Sequence, residues 1–429
     1  MKLLEKIITL LILTVTFGGL AVLTLYGSGA DSTAVLCVGS FVFSFFIITA
    51  AALLYADAHK AKQYKDEFGV PKSLSTDEFI EGYQGKAAFR VGLIVVIAVA
   101  LVFIALFSLV IGPIDISLSD VVRLLYLHIT GYEFVPFSQD YMDDQIIWEL
   151  RLPRVVVALI AGAGLAIGGA VMQAVVKNPL ADPYTTGISS GAMLGASLFI
   201  VLGFSITGLG NFGLVANAFI FSLIPAALMI VVSKISNGSP ATIILLGTAV
   251  SYIFGALNSL IMMLGTEDAM QGAFIWSVGS LSKVTWSTVP VMGFITIVFS
   301  AILYMTAGKL NLMMSGDNTA KSLGLNVENY RMICLLIISL ITASIVSYLG
   351  MIGFVGLIVP HIIRMVIGSD SRLVIPASML TGAAAMLLAD IVARSISSAA
   401  VPVGVVLSFV GGPLFLLLVI KSNREAWSD

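Results

Sequence analysis

The stretch from Trp148 to Gly187, WELRLPRVVVALIAGAGLAIGGAVMQAVVKNPLADPYTTG, constrains the fold of this chain more than any other. It holds an apolar run from Leu152 to Val176, with arginines at one end and Lys-Asn-Pro at the other. As a helix rising ~1.5 Å per residue, that run is roughly 37 Å long, more than the ~30 Å hydrocarbon core of a bilayer. Gly162, Gly164, Gly168 and Gly169 are expected to leave one side of it nearly bare. In water so many glycines weaken a helix; in lipid they let a second backbone approach closely, where packing rather than hydrophobicity drives association. Met172, Gln173 and Asn178 carry polarity down to the far end. The expectation is a packed, buried span of a polytopic protein.

Composition agrees. Charged residues are only 11% of the 429 and hydrophobic ones 59%, where soluble domains carry roughly 25% charge. Cys37 and Cys334 each sit inside an apolar run, and His59, His128 and His361 lie far apart. No metal-ligand spacing, nucleophile–base set or glycine-rich phosphate loop can be assembled from them. The chain is therefore expected to carry no catalysis, no nucleotide site and no cofactor of its own, and nothing points to nucleic acid.

Twelve spans are expected, at 6–27, 34–56, 89–112, 152–176, 183–203, 212–233, 241–264, 287–307, 332–349, 351–368, 373–392 and 401–420. With the N-terminus inside, five of the 22 lysines and arginines fall outside: Arg123, Arg151, Arg154, Lys283 and Arg394. That bias places both termini in the cytoplasm. The run after Lys2 and Lys6 is longer than a signal-peptide core, so it reads as an uncleaved anchor although Ser28-Gly29-Ala30 resembles a cleavage site. Residues 57–88 read as a polar cytoplasmic linker, dividing a two-span extension (1–88) from the main body (89–429). In the outer segment 113–150, Leu118, Val121, Val122 and Leu125 have the spacing of an amphipathic surface helix. The acids that follow, Glu133, Asp140, Asp143, Asp144 and Glu149, read as a solvated rim.

Several motifs carry a resemblance. They are Leu150-Arg-Leu-Pro-Arg154, Gly169-Ala-Val-Met-Gln173, Asn178-Pro-Leu-Ala-Asp-Pro183, Gly187-Ile-Ser-Ser-Gly191, Trp276-Ser-Val-Gly-Ser280, Gly316-Asp317 with Ala320 and Leu323-Gly324, Gly353-Phe-Val-Gly-Leu-Ile-Val-Pro-His361, Leu388-Ala-Asp-Ile-Val-Ala-Arg394 and Pro402-Val-Gly404. In this order, from about residue 89 to 420, the chain resembles the permease family of type II ABC importers for iron-siderophores, haem and cobalamin. The resemblance implies an all-helical, ten-span permease that pairs with a second copy or a related permease around a central pathway. It also implies a separate ATPase subunit and an extracellular substrate-binding protein. Members usually have ten spans, so the two in residues 1–88 depart from the pattern and nothing is carried over to them.

Four sets of residues follow. Arg151 and Arg154, three apart on one helical face, and Arg394 sit at outer span ends against the charge bias. They read either as headgroup anchors or, as the resemblance implies, as docking points for glutamates of the binding protein, which a planar guanidinium grips bidentately. In the inner loop 311–331, Asp317 to Gly324 reads as a short helix that Gly316 and Asp317 begin and Gly324 caps. Leu312, Met313, Ala320 and Leu323 are too apolar for a loop that only meets water, and the resemblance makes this loop, Lys321 included, the coupling helices that enter the ATPase. Ser251, Gly255, Asn258, Ser259 and Met262 form one small or polar stripe, open to pathway lining or to helix–helix bonding. Gln173 belongs with this pathway, and Asn178, Leu180 and Ser239 stand in joints that resemble the family's cytoplasmic gates. His361 beside Pro360, and Asp390 one turn before Arg394, read as structural, the latter as an ion pair.

The rival class is an ion-coupled secondary transporter, which needs ionisable residues at mid-membrane; the spans offer neutral Asn258, Gln173 and serines instead. A membrane-embedded enzyme lacks clustered ligands. Spans four to seven and nine to twelve, of opposite orientation, would suit an inverted repeat. Among the family's substrates, a ferric siderophore is the expectation, with haem and cobalamin as alternatives.

Overall fold

The computed structural model describes residues 76–114, 116–208, 212–235, 240–396 and 401–426. The expected spans at 6–27 and 34–56, with Cys37 and Ser239, lie outside the described residues. All ten remaining spans are helices. In chain order the helices are α1 (Thr76–Val110), α2 (Leu118–Ile129), α3 (Gln139–Gln145), α4 (Leu152–Val176), α5 (Ile188–Leu202), α6 (Gly213–Ile235), α7 (Pro240–Met263), α8 (Glu267–Ser277), α9 (Thr288–Met305), α10 (Ala307–Met314), α11 (Asp317–Ser322), α12 (Val327–Leu349), α13 (Val355–Ile367), α14 (Ser371–Ile396) and α15 (Val403–Ala426). Seven are long and apolar enough to cross a membrane, and three are shorter apolar helices: Ile188–Leu202, Val355–Ile367 and Val403–Leu416. No strand occurs among the described residues.

The boundaries have local causes. Ser117, Ser138, Thr266 and Asn326 begin α2, α3, α8 and α12 by accepting the backbone N–H three residues on. Helix α4 ends where Lys177 turns left-handed, at φ 54°. It begins inside a longer rod, because a π-helical turn, Ile146–Arg151, joins it to α3. Two expectations change here. Residues 76–88, read as linker, belong to the backbone of α1. The outer segment and the approach to span eight contain α3 and α8, which were not expected.

Helix α4 is the axis of the molecule. It packs along α14 and against α13, α12 and α9, while α5 to α8 form a second group joined to it through α6 and α12. Its glycines do not share one bare side. Gly162 and Gly169, two turns apart, face α14 and α13: a Cβ would lie 2.3 Å from Gly382 O and 1.7 Å from Gly356 O. Gly164 and Gly168 face the other way, towards Ile345 and Ile338 of α12. Backbones therefore approach α4 on one flank and side chains fill the other, which is why nearly all of it is buried.

Candidate functional site

The chain places its ionic and polar groups at the two ends of α4. At the first end, Arg151 is 5% exposed. Its Nη1 donates to the carbonyls of Leu109 and Val110, each at 2.7 Å, and its Nη2 to that of Ile114. Arg394 donates to Ile111 O at 2.5 Å and to Ser108 O and Oγ at 3.0 and 2.7 Å. Both guanidinium groups thus cap the carbonyl end of α1, where the helix dipole favours a cation. Asp390, fully buried, lies between the other two donors. It accepts from Arg154 Nε at 2.7 Å and pairs with Arg394 Nε at 2.9 Å, the latter without hydrogen-bond alignment. The expected Asp390–Arg394 ion pair is present. Arg154 Nη2 is buried and has no partner among the described residues. Direct bidentate docking by Arg151 or Arg394 is not what this arrangement offers, since their donors are already held by backbone.

Beside this cluster, His128 stacks on Trp148 at 3.9 Å and its Nδ1 meets the buried Asp144 carboxylate at 2.9 Å. Asp144 is therefore not part of a solvated rim. Asp140 fits that description better, pairing with Arg123 at 2.8 Å at the surface.

At the other end of α4, the inner loop is two short helices, α10 and α11. Gly316 precedes α11 at φ 114°, and Gly324 closes it at φ 86°. The N–H groups of Gly324 and Leu325 return to Lys321 O and Ala320 O, a Schellman close of the kind Gly324 promised. Of the apolar residues, Ala320 is fully buried and packs inward, whereas Leu323 is 63% exposed. Of the expected ATPase-coupling residues, Leu323 and the neighbouring Gly324 therefore face outward, whereas Ala320 is turned into the core. Lys321 is tied to Glu328. Asp317 takes Arg331 Nη2 on both oxygens at 2.9 Å and Lys177 Nζ at 2.5 Å. Partial burial pushes the Asp317 carboxyl up, but the bonds and charges of Lys177 and Arg331 outweigh it and hold it below the usual carboxylate range.

Between the two ends, Gln173 is 3% exposed. Its amide donates to Leu357 O at 2.9 Å and accepts from Arg364 Nη1 at 2.5 Å, while Arg364 Nη2 donates to Ala170 O at 2.6 Å. Gln173 thus bonds α4 to α13 rather than facing an open channel. Arg364 reaches back along α4. Asn178 Oδ1 accepts from Leu180 N at 2.9 Å, a tight turn that shapes the joint after α4.

Of the expected stripe on α7, Gly255 and Ser259 are exposed, while Ser251, Asn258 and Met262 are half-buried. Thr248, Tyr252, Gly255 and Ser259 are exposed, and a Cβ at Gly255 would meet nothing within 4 Å. Ser251 and Ser259 donate to the carbonyls of Gly247 and Gly255 at 2.8 and 3.0 Å, bonding their own helix and no other. Asn258 Oδ1 is buried without a partner among the described residues, and Met262 is partly exposed.

Arg331, Lys177, Asn311 and Asp370 were not singled out from sequence. A lysine ending an apolar run and an arginine opening the next are unremarkable until the fold brings both to Asp317.

With this geometry in place, comparison with known proteins is decisive. The sequence model described as the FecCD transport family matches residues 100–421. The chain is 34% identical to the molybdate import system permease protein MolB of Haemophilus influenzae, over 77% of this chain and 95% of that protein. It is 37% identical to the hemin transport system permease protein HmuU of Yersinia pestis (65% and 84%). It is 31% identical to the vitamin B12 import system permease protein BtuC of Vibrio cholerae (70% and 91%). A solved metal-chelate type ABC transporter in an inward-facing conformation superposes with a TM-score of 0.67 at 33% identity, over 77% of this chain and 99% of that one. The substrates named for these relatives differ: molybdate, hemin and vitamin B12. With helices as the regular secondary structure among its described residues and crossing the membrane many times, the chain belongs to the FecCD family and is the permease of an ABC importer, a transport subunit that works with an ATPase.

Proposed function

We propose that this permease imports a ferric siderophore across the cytoplasmic membrane, as a homodimer whose two α7 helices flank the pathway. Both termini are then cytoplasmic, with the Asp317 end facing the ATPase and the Arg154 end facing an extracellular binding protein. Residues 89–429 form the permease unit, and 1–88 are an extension with two further spans. Asn178, Leu180 and Ser239 lie at its inner gate.

The observation that carries the reading is the outward face of α7. Exposed Thr248, Tyr252, Gly255 and Ser259, flanked by exposed Leu245, Ile253, Leu257 and Leu260, make an uncharged and largely apolar wall. Such a wall suits a bulky amphipathic chelate; a small hard dianion would be poorly solvated there. A relative named as a probable iron chelatin transport system permease, from Helicobacter pylori, is 33% identical over 328 residues. At the Arg154 end, Arg154 and Arg394 share the one buried carboxylate of Asp390, and Arg154 Nη2 has no partner among the described residues, a donor that an acidic partner could take.

The test is uptake by proteoliposomes holding the permease, its ATPase and binding protein, offered radiolabelled ferric siderophore, haemin, cobalamin or molybdate in turn. ATP-dependent accumulation of the ferric siderophore is expected. Accumulation of one of the others instead refutes the substrate, and accumulation driven by an ion gradient without ATP refutes the ABC mechanism.

A further inference from the structure

The inner loop carries two populations of side chains. Asn318, Thr319, Ser322 and Leu323 face outward, and Lys321, although ion-paired, is also exposed. Asn311, Asp317 and Lys321 are bonded to the core helices. The Asn311 amide donates to Asp370 Oδ1 at 2.7 Å and accepts from Ser371 N at 2.8 Å, tying α10 to the start of α14. Lys321 bridges α11 to Glu328 in the first turn of α12.

Asp317 does more than these. Its partner Arg331 is 1% exposed and also donates Nε to Val175 O at 3.2 Å, in the last turn of α4. Its other partner, Lys177, is the residue that ends α4. One carboxylate therefore joins α11 to the first turns of α12 and to the terminus of the axial helix. Removing it would leave a desolvated guanidinium without its anion, so the junction holds as a unit.

We propose that Asp317 is the rigid link that hands displacement of α11 to α4 and α12: a positioning residue for ATP coupling, turned inward, not a contact of the ATPase. The proposal rests on the reading of this loop as the ATPase's contact, and deepens it by separating the side chains that touch from those that transmit. A carboxylate gripped from two helices resists rotation as well as separation, which a single apolar contact does not.

The test uses the full chain assembled with its ATPase, with Cys37 and Cys334 replaced by serine. Nitroxides are placed on Pro179→Cys and Ser322→Cys, on either side of Asp317. With Asp317 present, the distance between labels is expected to be the same with and without ATP. In Asp317→Asn it is expected to shift on adding ATP, and Asp317→Glu, which keeps the charge, is expected to abolish the shift again. An unshifted distance in Asp317→Asn overturns the proposal, as does an ATP-dependent one with Asp317 intact. If Asp317→Asn does not fold, Lys177→Gln breaks the exposed half of the same bridge and must show the shift.

Retention of the ATPase is measured in the same samples. Asp317→Asn should keep it and Leu323→Asp should lose it. Loss from Asp317→Asn makes Asp317 a contact and sinks the link alone. Retention by Leu323→Asp removes the loop as the ATPase's contact, and the proposal with it.

Discussion

Gly169→Ala adds one methyl group to α4 at the point where α13 comes nearest. The new Cβ would lie 1.7 Å from Gly356 O, 2.4 Å from Gly356 C and 2.7 Å from Gly356 Cα. All three are backbone atoms inside α13, so no rotamer change relieves the clash. Restoring an ordinary contact near 3.4 Å requires the helices to part by about 1.7 Å there. That would stretch the Gln173–Leu357 bond from its 2.9 Å. Overpacking of this kind costs ~1–3 kcal/mol, against a gain of up to ~1 kcal/mol in helix propensity. The upper half of that range applies, because the obstacle is backbone, giving a net loss of about 2 kcal/mol. Domains of 150–250 residues lose ~2–4 °C in Tm per kcal/mol and larger ones less, so a fall of roughly 4 °C is expected. The control is Gly255→Ala, whose Cβ meets nothing within 4 Å and which should leave Tm unchanged or slightly raised. Thermal melting of the two variants in the same detergent, followed by size-exclusion chromatography, measures both. Equal Tm for Gly169→Ala and the parent, or a fall confined to Gly255→Ala, would refute the close approach of α4 and α13.

Three further outcomes are expected. Arg154→Glu reverses the sign of a charge whose Nη2 has no partner, and sets a second carboxylate beside buried Asp390. Binding of the substrate-binding protein should weaken by at least about tenfold and lose its salt dependence, measured by surface plasmon resonance at two ionic strengths; unchanged, salt-insensitive affinity removes this end as the dock. A cysteine at the exposed Ser259 should react with a water-soluble maleimide at a rate that changes with nucleotide, and protection in every state would assign this face to lipid. For Asp317, whose folded pKa lies below the unfolded value, the link is fully present above the ordinary carboxylate pKa of ~3.9 and lost as pH falls through the depressed one. The Pro179–Ser322 label distance should therefore be constant from about pH 8 to 5 and broaden only below about 4; broadening at pH 6 would contradict the ion pair.

How much of this was legible in the sequence depended on the range of the interaction. Helix α4 was read with its described bounds, since an unbroken apolar run ending at Lys177-Asn-Pro is local information. The close of α11 at Gly324 was legible for the same reason, because a left-handed residue after a short polar helix has few alternatives to glycine. Helix α8 could have been found: Thr266 followed by Glu267 and Asp268 is an N-terminal signature, overlooked beside the longer apolar runs. The motif order alone pointed to the family.

What tertiary structure decided was which partner each polar group takes. Arg151 meets carbonyls about 40 residues earlier in the chain, and Arg394 meets carbonyls of the same helix end from about 280 residues away. No periodicity encodes that, because a guanidinium in lipid donates to any carbonyl the fold delivers. Gln173 was taken for a pathway residue because a lone amide in a span has two uses, and only the arrival of Arg364 and Leu357 selects bonding between helices. The glycines of α4 announced close packing but not with which neighbours, and their division between two flanks follows from where α13 and α14 lie. A sequence states which groups must be satisfied; the packing of distant helices chooses what satisfies them.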